Sequence, residues 1–225
     1  MKDFIEGIVA PIDRDNIDTD QIIPTEYLKS IKKFGYEDYL FDGWRYKDQG
    51  RLGMKKGERK INHEFILNNS PYDESKVLLT RDNFGCGSSR EHAVWALRDF
   101  GIEVVLASSF GDIFYNNCFK NGVLPLKLKK TEIEKLFSLS TDSPVSISVN
   151  IKDKVILFKD KLSIDFDLDN NLAERIIYGL DEIDITLKDS ELIKKFEEHR
   201  KENNPWIFEW IKRFLFCQVT ASALK

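Results

Sequence analysis

Residues 77–101 read VLLTRDNFGCGSSREHAVWALRDFG, an apolar run followed by a glycine-rich turn and a helical pattern. The apolar run predicts a strand, and the apolar spacing after residue 91, with Gly101 as its stop, predicts a helix. Ser88 and Glu91 have the spacing of a capping box, which places the N-cap of the predicted helix at Ser88. A glycine turn that leads into a helix N-terminus leaves backbone N–H groups unpaired beside Arg90, and this arrangement favours an anion.

The strand and helix patterns continue downstream of the turn. An apolar run at 104–107, a helical pattern at 111–120 and a strand pattern at 123–128 predict two consecutive β-α-β crossovers, and therefore a parallel sheet covered by helices. Alternating apolar and polar residues then predict antiparallel strands at 145–149, 155–158 and 162–166. The last patterns predict a helix at 171–178, a strand or extended run at 183–187 and a charged helix at 190–202. The expected fold class is α/β, with a parallel β-α-β core plus antiparallel strands.

Composition limits the classes of function. The chain has 225 residues and a formal net charge of −4, which argues against a general nucleic-acid binder because such proteins have basic surfaces. It lacks an apolar run of the roughly 18 residues that a membrane span needs, and its first residues carry acids, which argues against a signal peptide. Its three cysteines are widely spaced, so we expect no disulfide framework, no metal or iron–sulfur site of its own and a cytoplasmic location.

Two segments before residue 77 leave alternatives open. Residues 13–20 are rich in acids but lack the spacing of a calcium loop, so they form either a hydrogen-bonded turn or a loop that presents Thr19 and Asp20 to a site. Residues 25–75 are aromatic yet aperiodic, which predicts a structured excursion, because disordered chains are poor in aromatic side chains. This excursion is either a lid or partner contact, or an irregular loop packed on its own domain.

The glycine-rich turn matches none of three common motifs. Arg90 stands where a dinucleotide fingerprint needs its third glycine, and the turn has neither the G-K-S/T of a Walker loop nor the G-x-S-x-G of a nucleophile elbow. The polar side chains of the turn suit a carboxylate ligand, because Arg90 can bind a carboxylate with two parallel hydrogen bonds. Ser88 and Ser89 offer hydroxyls for proton transfer. The structural alternatives are that Ser88 only caps the helix, that Arg90 pairs with a surface acid and that His92 is a packed histidine.

Four stretches of the chain resemble, in order and spacing, the small subunits of 3-isopropylmalate dehydratase in the aconitase superfamily. They are NIDTDQIIP (16–24), LFDGWRY (40–46), FGCGSSREHA (84–93) and SFGDIFYNN (109–117). Four ordered blocks are far more specific than a single motif. We therefore predict one family domain over residues 1–205 and an atypical, aromatic-rich C-terminal tail over residues 206–225.

The resemblance implies a swivelling β/β/α domain and a hydro-lyase of leucine biosynthesis. Such an enzyme removes water from 2-isopropylmalate and re-adds it, through 2-isopropylmaleate, to give 3-isopropylmalate. The resemblance also implies a cytoplasmic heterodimer that is active only with a large subunit. A [4Fe-4S] cluster on that larger partner acts as a Lewis acid on the leaving hydroxyl, and this chain binds no metal. The ligand is a hydroxy-dicarboxylic acid, and we expect neither nucleic acid nor membrane among the partners.

The same motif match assigns roles to residues. It implies that Ser88 is the base that takes the proton from carbon, and that Ser89 and Arg90 bind substrate. It gives supporting roles to Thr19, Asp20, Gly85, Gly87 and His92.

One departure from the superfamily leaves the substrate open. Aconitases carry a second substrate arginine shortly after the Thr-Asp block, whereas residues 25–30 here read TEYLKS. Candidates for the contact to the isopropyl group are therefore the apolar side chains of Ile22, Ile23, Tyr27 and Leu28. Alternative functions are a related dehydratase of the methylmalate (citraconate) or homoaconitate type, and a non-catalytic anion-binding assembly module.

Overall fold

The computed structural model describes residues 2–29, 32–88, 90–140, 143–158 and 162–208. The chain divides into two compact units, Met1–Gly179 and Leu180–Lys225. Ser89 and most of the predicted tail, residues 209–225, lie outside the described residues. Within the described part, no helix is both long enough and apolar enough to cross a membrane.

The first unit is built on a seven-stranded sheet in the order β4-β3-β2-β1-β5-β6-β7. Its strands are β1 (Phe4–Pro11), β2 (Val77–Leu79), β3 (Val104–Ala107), β4 (Leu124–Lys127), β5 (Val145–Asn150), β6 (Val155–Phe158) and β7 (Leu162–Asp165). Strands β1 to β4 are parallel neighbours, while β5, β6 and β7 join the other edge of β1 in antiparallel pairs. The predicted division into a parallel core and antiparallel strands is confirmed.

Helices connect the parallel strands and follow the antiparallel ones. They are α1 (Thr19–Ile22), α2 (Asp42–Arg45), α3 (Glu91–Phe100), α4 (Asp112–Lys120), α5 (Lys130–Ser140), α6 (Asn170–Tyr178), α7 (Glu182–Leu187) and α8 (Ser190–Asn203). Gly101 and Gly179 end α3 and α6 in the left-handed conformation, as glycine at a helix C-terminus commonly does.

Helix α7 corrects the expectation of a strand at 183–187. Asp181 caps the helix through a hydrogen bond from the N–H of Asp184, whose own side chain accepts from the N–H of Asp181. This reciprocal capping box stabilises a helical start that the short apolar alternation does not reveal. Helices α7 and α8 belong to the second unit.

The sheet has an apolar core on each face, because successive side chains of a strand point to opposite sides. Val77 and Leu79 of β2 pack in one cluster with side chains of α5 and α6, whereas Leu78 packs in the other with side chains of α3 and α4. Burial of each such aliphatic side chain contributes about 1.5–3 kcal/mol. The observed register pairs Val77 with Val9 on one side and with Val104 on the other, and it sets the level at which these strands end.

The excursion between β1 and β2 is held by buried polar groups as well as by aromatic packing. It contains α2 and the short 3₁₀ helices Thr25–Lys29, Glu37–Tyr39, Lys56–Glu58, Ile66–Asn68 and Tyr72–Glu74. Arg59 binds both carboxylate oxygens of Asp42, at 2.6 and 3.3 Å, and the Tyr27 hydroxyl donates to the same carboxylate at 2.9 Å. Buried Arg45 donates to the carbonyl of Glu37 at 2.7 Å. Tyr27 and other aromatic side chains of the excursion belong to the same buried cluster as side chains of β2 and α3, so the excursion is packed on its own domain.

Candidate active site

The loops that follow β1 and β2 are joined by hydrogen bonds at the carboxyl edge of the parallel strands. The N–H of Asp82 donates to the Asp15 carboxylate at 2.9 Å, and the Asn83 amide donates to Asn16 at 2.8 Å. The N–H of Gly85 donates to the carbonyl of Ile17 at 2.7 Å. These bonds bring residues 15–20 beside the glycine-rich turn, at the strand edge where α/β proteins commonly bind ligands.

Glycine is required in this turn by conformation and by space. Gly85 and Gly87 have φ angles of +70° and +96°, in the region that side-chain-bearing residues seldom adopt. A Cβ atom on Gly85 would lie 2.2 Å from the ring of Phe114, and one on Gly111 would lie 2.6 Å from the carbonyl oxygen of Gly85. The glycines therefore let the turn pack directly against the start of α4.

A cleft of about 220 Å³ lies over this turn. It is lined by Thr19, Gly85, Cys86, Gly87, Ser88, Arg90, Gly111, Asp112, Ile113 and Phe114. Five residues predicted from the sequence thus share one lining, although Thr19 and Ser88 are 69 positions apart. Three predicted residues are not in this lining. Asp20 is connected to the cleft by its ion pair with Arg90, and His92 does not line the cleft. Ser89 lies outside the described residues.

Ser88 does not cap the helix, contrary to the expectation from its spacing. Helix α3 begins at Glu91 with Arg90 as its N-cap, and no side chain of a described residue caps it. The Glu91 carboxylate instead accepts a hydrogen bond from Asn121 at 2.8 Å, which ties it to the end of α4 and away from Ser88. The Ser88 side chain is exposed at the cleft, and its hydroxyl makes no hydrogen bond to a described residue.

Among the described residues, Arg90 has partners on one side of its guanidinium only. Its Nη1 donates to the carboxylate of Asp20 and, at 3.1 Å, to the hydroxyl of Thr25, which itself donates to Asp20 at 2.7 Å. The hydrogen bond from Thr25 and the contact with Arg90 hold the pKa of Asp20 below its ordinary value. The Nε and Nη2 of Arg90 have no partner among the described residues, so one edge of the guanidinium is free to bind a carboxylate.

His92 and Cys86 contribute differently from the hydroxyl and guanidinium groups. The His92 ring packs against Trp95, with centroids 4.5 Å apart, and edge-on against Tyr36 at 5.5 Å. This position supports α3 and fits the packed-histidine alternative. Cys86 lines the cleft, and partial burial, followed by the charge of Asp18, raises the pKa of its thiol, so the reactive thiolate is disfavoured.

The structure also identifies site residues that sequence reasoning missed. Asp112, Ile113 and Phe114, at the start of α4, line the cleft. The sequence could have indicated them, because they lie in the family block SFGDIFYNN. Thr25 contacts the site through Arg90 and had no distinguishing pattern.

The apolar candidates for the isopropyl contact need correction. Ile22, Ile23 and Tyr27 are fully buried in the core, and the half-buried Leu28 packs against the same core, so none of the four lines the cleft. The exposed apolar side chain in the cleft lining is Ile113.

Family models match both units of the chain. The aconitase C-terminal domain matches residues 3–131, which contain the parallel strands and the whole cleft. The C-terminal domain of the 3-isopropylmalate dehydratase small subunit matches residues 182–209, which contain α7 and α8.

Curated relatives and a solved structure agree with these models. The 3-isopropylmalate dehydratase small subunit of Nitrosomonas eutropha is 47% identical over 212 residues, covering 92% of this chain and 100% of the relative. That of Neisseria gonorrhoeae is 45% identical over 211 residues, covering 92% and 99%. The crystal structure of 3-isopropylmalate dehydratase from Methanocaldococcus jannaschii superposes with a TM-score of 0.59 at 26% identity, covering 86% of this chain and 99% of that one. The chain therefore belongs to the small-subunit family of 3-isopropylmalate dehydratase, in the aconitase superfamily.

Proposed function

We propose that the chain is the small subunit of a heteromeric hydro-lyase that isomerises 2-isopropylmalate to 3-isopropylmalate in leucine biosynthesis. The proposal is carried by the cleft, where an exposed serine hydroxyl and the free edge of an arginine converge beside a helix N-terminus. These groups suit a dicarboxylic acid from which a proton is removed at carbon. The substrate itself is taken from the shared name of the relatives.

Arg90 would hold one carboxylate of the substrate. A carboxylate that accepts from Nε and Nη2 is bound bidentately, which fixes its orientation as well as its position. Asp20 and Thr25, on Nη1, would hold the guanidinium plane in place. We assign Ser89 to substrate binding on the motif match alone.

Ser88 would take the proton from carbon. A serine acts as a base only where its alkoxide is stabilised, and here the N-terminus of the ten-residue helix α3 and the nearby Arg90 favour negative charge. Its hydroxyl is not engaged as a helix cap, so it remains available for proton transfer. Gly85 and Gly87 would support Ser88 by permitting the turn, Thr19 by contacting it and His92 by packing α3.

The large subunit is the proposed partner, and it would hold the [4Fe-4S] cluster that acts on the leaving hydroxyl as a Lewis acid. The described residues do not suit a cluster: they contain no group of three or more His, Cys, Asp or Glu side chains placed to hold a metal ion. Cys118 is fully buried in the core, and Cys86 stands in the cleft without a second described cysteine beside it. A cytoplasmic location and the absence of nucleic-acid or membrane partners remain predictions.

Reconstitution tests the proposed function. The chain should co-purify with a cluster-bearing large subunit, and the complex should hydrate 2-isopropylmaleate in preference to citraconate and homoaconitate. S88A should lower turnover by at least about 1,000-fold while the complex still assembles, because the proton acceptor is gone. S138A removes another exposed serine hydroxyl, on α5, and should retain full activity.

Each contrary result has a separate meaning. Preference for another acid would move the chain to a related dehydratase, and failure to assemble would favour the non-catalytic module. S88A with near-normal turnover would remove Ser88 from its role as base.

A further inference from the structure

Thr19 is a buried threonine that holds the glycine-rich turn at two points. Its N–H donates to the carbonyl of Cys86 at 2.9 Å, and its hydroxyl donates to the carbonyl of Ser88 at 3.1 Å. These two carbonyls flank Gly87, the residue at φ +96°. The Thr19 side chain is 1% exposed, so water does not readily replace its hydroxyl as a donor.

We infer that Thr19 is a positioning residue for Ser88, an inference that rests on the proposed function of the cleft. A glycine at positive φ supplies no side-chain packing of its own, so the turn relies on outside contacts for a single conformation. Fixing the carbonyl of Ser88 also fixes its peptide plane, because the peptide bond is planar. The Cα of Ser88, which carries the hydroxymethyl side chain, is then held in a fixed position in the cleft lining.

Thr19 is itself held by neighbours on α1. Asp18 caps this helix by accepting from the N–H of Gln21 at 2.7 Å, and the Gln21 side chain accepts from the N–H of Asp18 at 3.0 Å. Asp20, the next residue, pairs with Arg90. One helical turn thus connects the proposed base, through Thr19, with the proposed carboxylate clamp, through Asp20.

The chain offers a closely matched control in Thr80. Its side chain is 0% exposed, its N–H donates to the carbonyl of Leu106 at 2.9 Å, and its hydroxyl donates to the carbonyl of Arg14 at 3.1 Å. The two threonines therefore make equivalent bonds, but the bonds of Thr80 do not involve the turn that carries Ser88.

The experiment compares T19V, T19A and T19S with T80V in the reconstituted complex. T19V should lower kcat by about 10- to 100-fold with less than about a 3-fold change in KM, since a displacement near 1 Å in the reacting groups costs rate rather than affinity. T80V should lower the melting temperature about as much as T19V and leave kcat within about 3-fold. T19A and T19S both lack the methyl group of Thr19 and differ only in the hydroxyl. A higher kcat in T19S than in T19A would therefore assign the effect to the hydroxyl.

A second measurement does not depend on activity. In the full chain, T19V should accelerate amide hydrogen exchange at residues 85–88, whereas T80V should accelerate it at residues 13–16 instead. Equal kcat losses in T19V and T80V, failure of T19S to exceed T19A, or unchanged exchange at 85–88 in T19V would each overturn the positioning role. An inactive wild-type complex would overturn the proposed function, and the exchange comparison would still decide the role of Thr19.

Discussion

Two arginine–aspartate pairs in the first unit use the same chemistry in opposite surroundings. The side chains of Arg59 and Asp42 are 1% and 9% exposed, whereas those of Arg90 and Asp20 are 20% and 53% exposed. Among the described residues, Arg59 binds Asp42 and Asp48 through three nitrogens, whereas Arg90 has partners on Nη1 alone. The buried pair holds the excursion together, while the exposed pair leaves the edge of Arg90 that we propose for ligand binding.

Exposure therefore separates the structural ion pair from the one that we propose for binding. A buried charge that loses its partner stays desolvated and uncompensated, so the protein loses stability. An exposed charge that loses its partner is solvated again, so stability changes little and the effect falls on ligand binding.

The largest effect should come from breaking the buried pair. D42N leaves Arg59 buried with less negative charge and weakens the acceptor of the Tyr27 hydroxyl, so the free energy of unfolding should fall by about 3 kcal/mol or more. Urea denaturation of the full chain measures this loss. D48N, which removes the more exposed partner of Arg59, is the control and should cost clearly less. A loss below about 1 kcal/mol for D42N would show that the network is not structural.

The next effect should come from the exposed pair, and it should appear in kinetics. R90K keeps the charge but cannot reproduce the free Nε–Nη2 edge, so KM of the complex should rise by about 10- to 100-fold while stability changes by less than about 1 kcal/mol. Steady-state rates and thermal unfolding measure the two quantities. R98K, on the same helix, alters an arginine that pairs with Asp99 and should leave KM within about 2-fold. Unchanged kinetics in R90K would exclude Arg90 from the site.

The smallest effect should be the pH dependence of the exposed pair. Because the pKa of Asp20 is lowered in the folded state, its contribution to stability is present above the unfolded-state pKa of about 3.9 and is lost as pH falls through the folded-state value. The difference in unfolding free energy between wild type and D20N should stay constant from neutral pH to about pH 5 and shrink below about pH 4. Its size should remain under about 1 kcal/mol, since the side chain is half exposed. Urea denaturation midpoints across this pH range measure the difference. A difference that grows on acidification would contradict a lowered pKa of Asp20 in the folded state.

Hydrophobic periodicity predicted strands well where the burial pattern is regular along the strand. Strand β6 matches its predicted residues 155–158, and the parallel strands follow from apolar runs that are buried on both faces of the sheet. The prediction of the start of α3 failed because the Glu91 side chain has another hydrogen-bond partner. The spacing of Ser88 and Glu91 fits a capping box, yet Asn121, 30 positions from Glu91, takes the carboxylate and the helix starts at Glu91.

Burial was the second source of error. Ile22, Ile23 and Tyr27 follow the Thr-Asp block directly and are apolar, which made them reasonable ligand contacts. The sequence does not say which side of the chain faces the core, and all three face it. Ile113 reaches the cleft because α4 starts at Asp112, directly after its N-cap Gly111, which lies against the carbonyl of Gly85.

The sequence by itself determined the family, because four ordered blocks match it, and it singled out the glycines, serines and Arg90 of the turn as candidates for ligand contact. Local patterns carry this information because it depends on residue type and spacing. Only the tertiary structure decided that Ser88 is not the N-cap of α3, which arginine is buried and which threonine bonds to Ser88. Those outcomes depend on partners about 70 positions apart, such as Thr19 with Ser88 and Asp20 with Arg90. These partners meet because β1 and β2 are paired in the sheet and the loops that follow them are joined by hydrogen bonds.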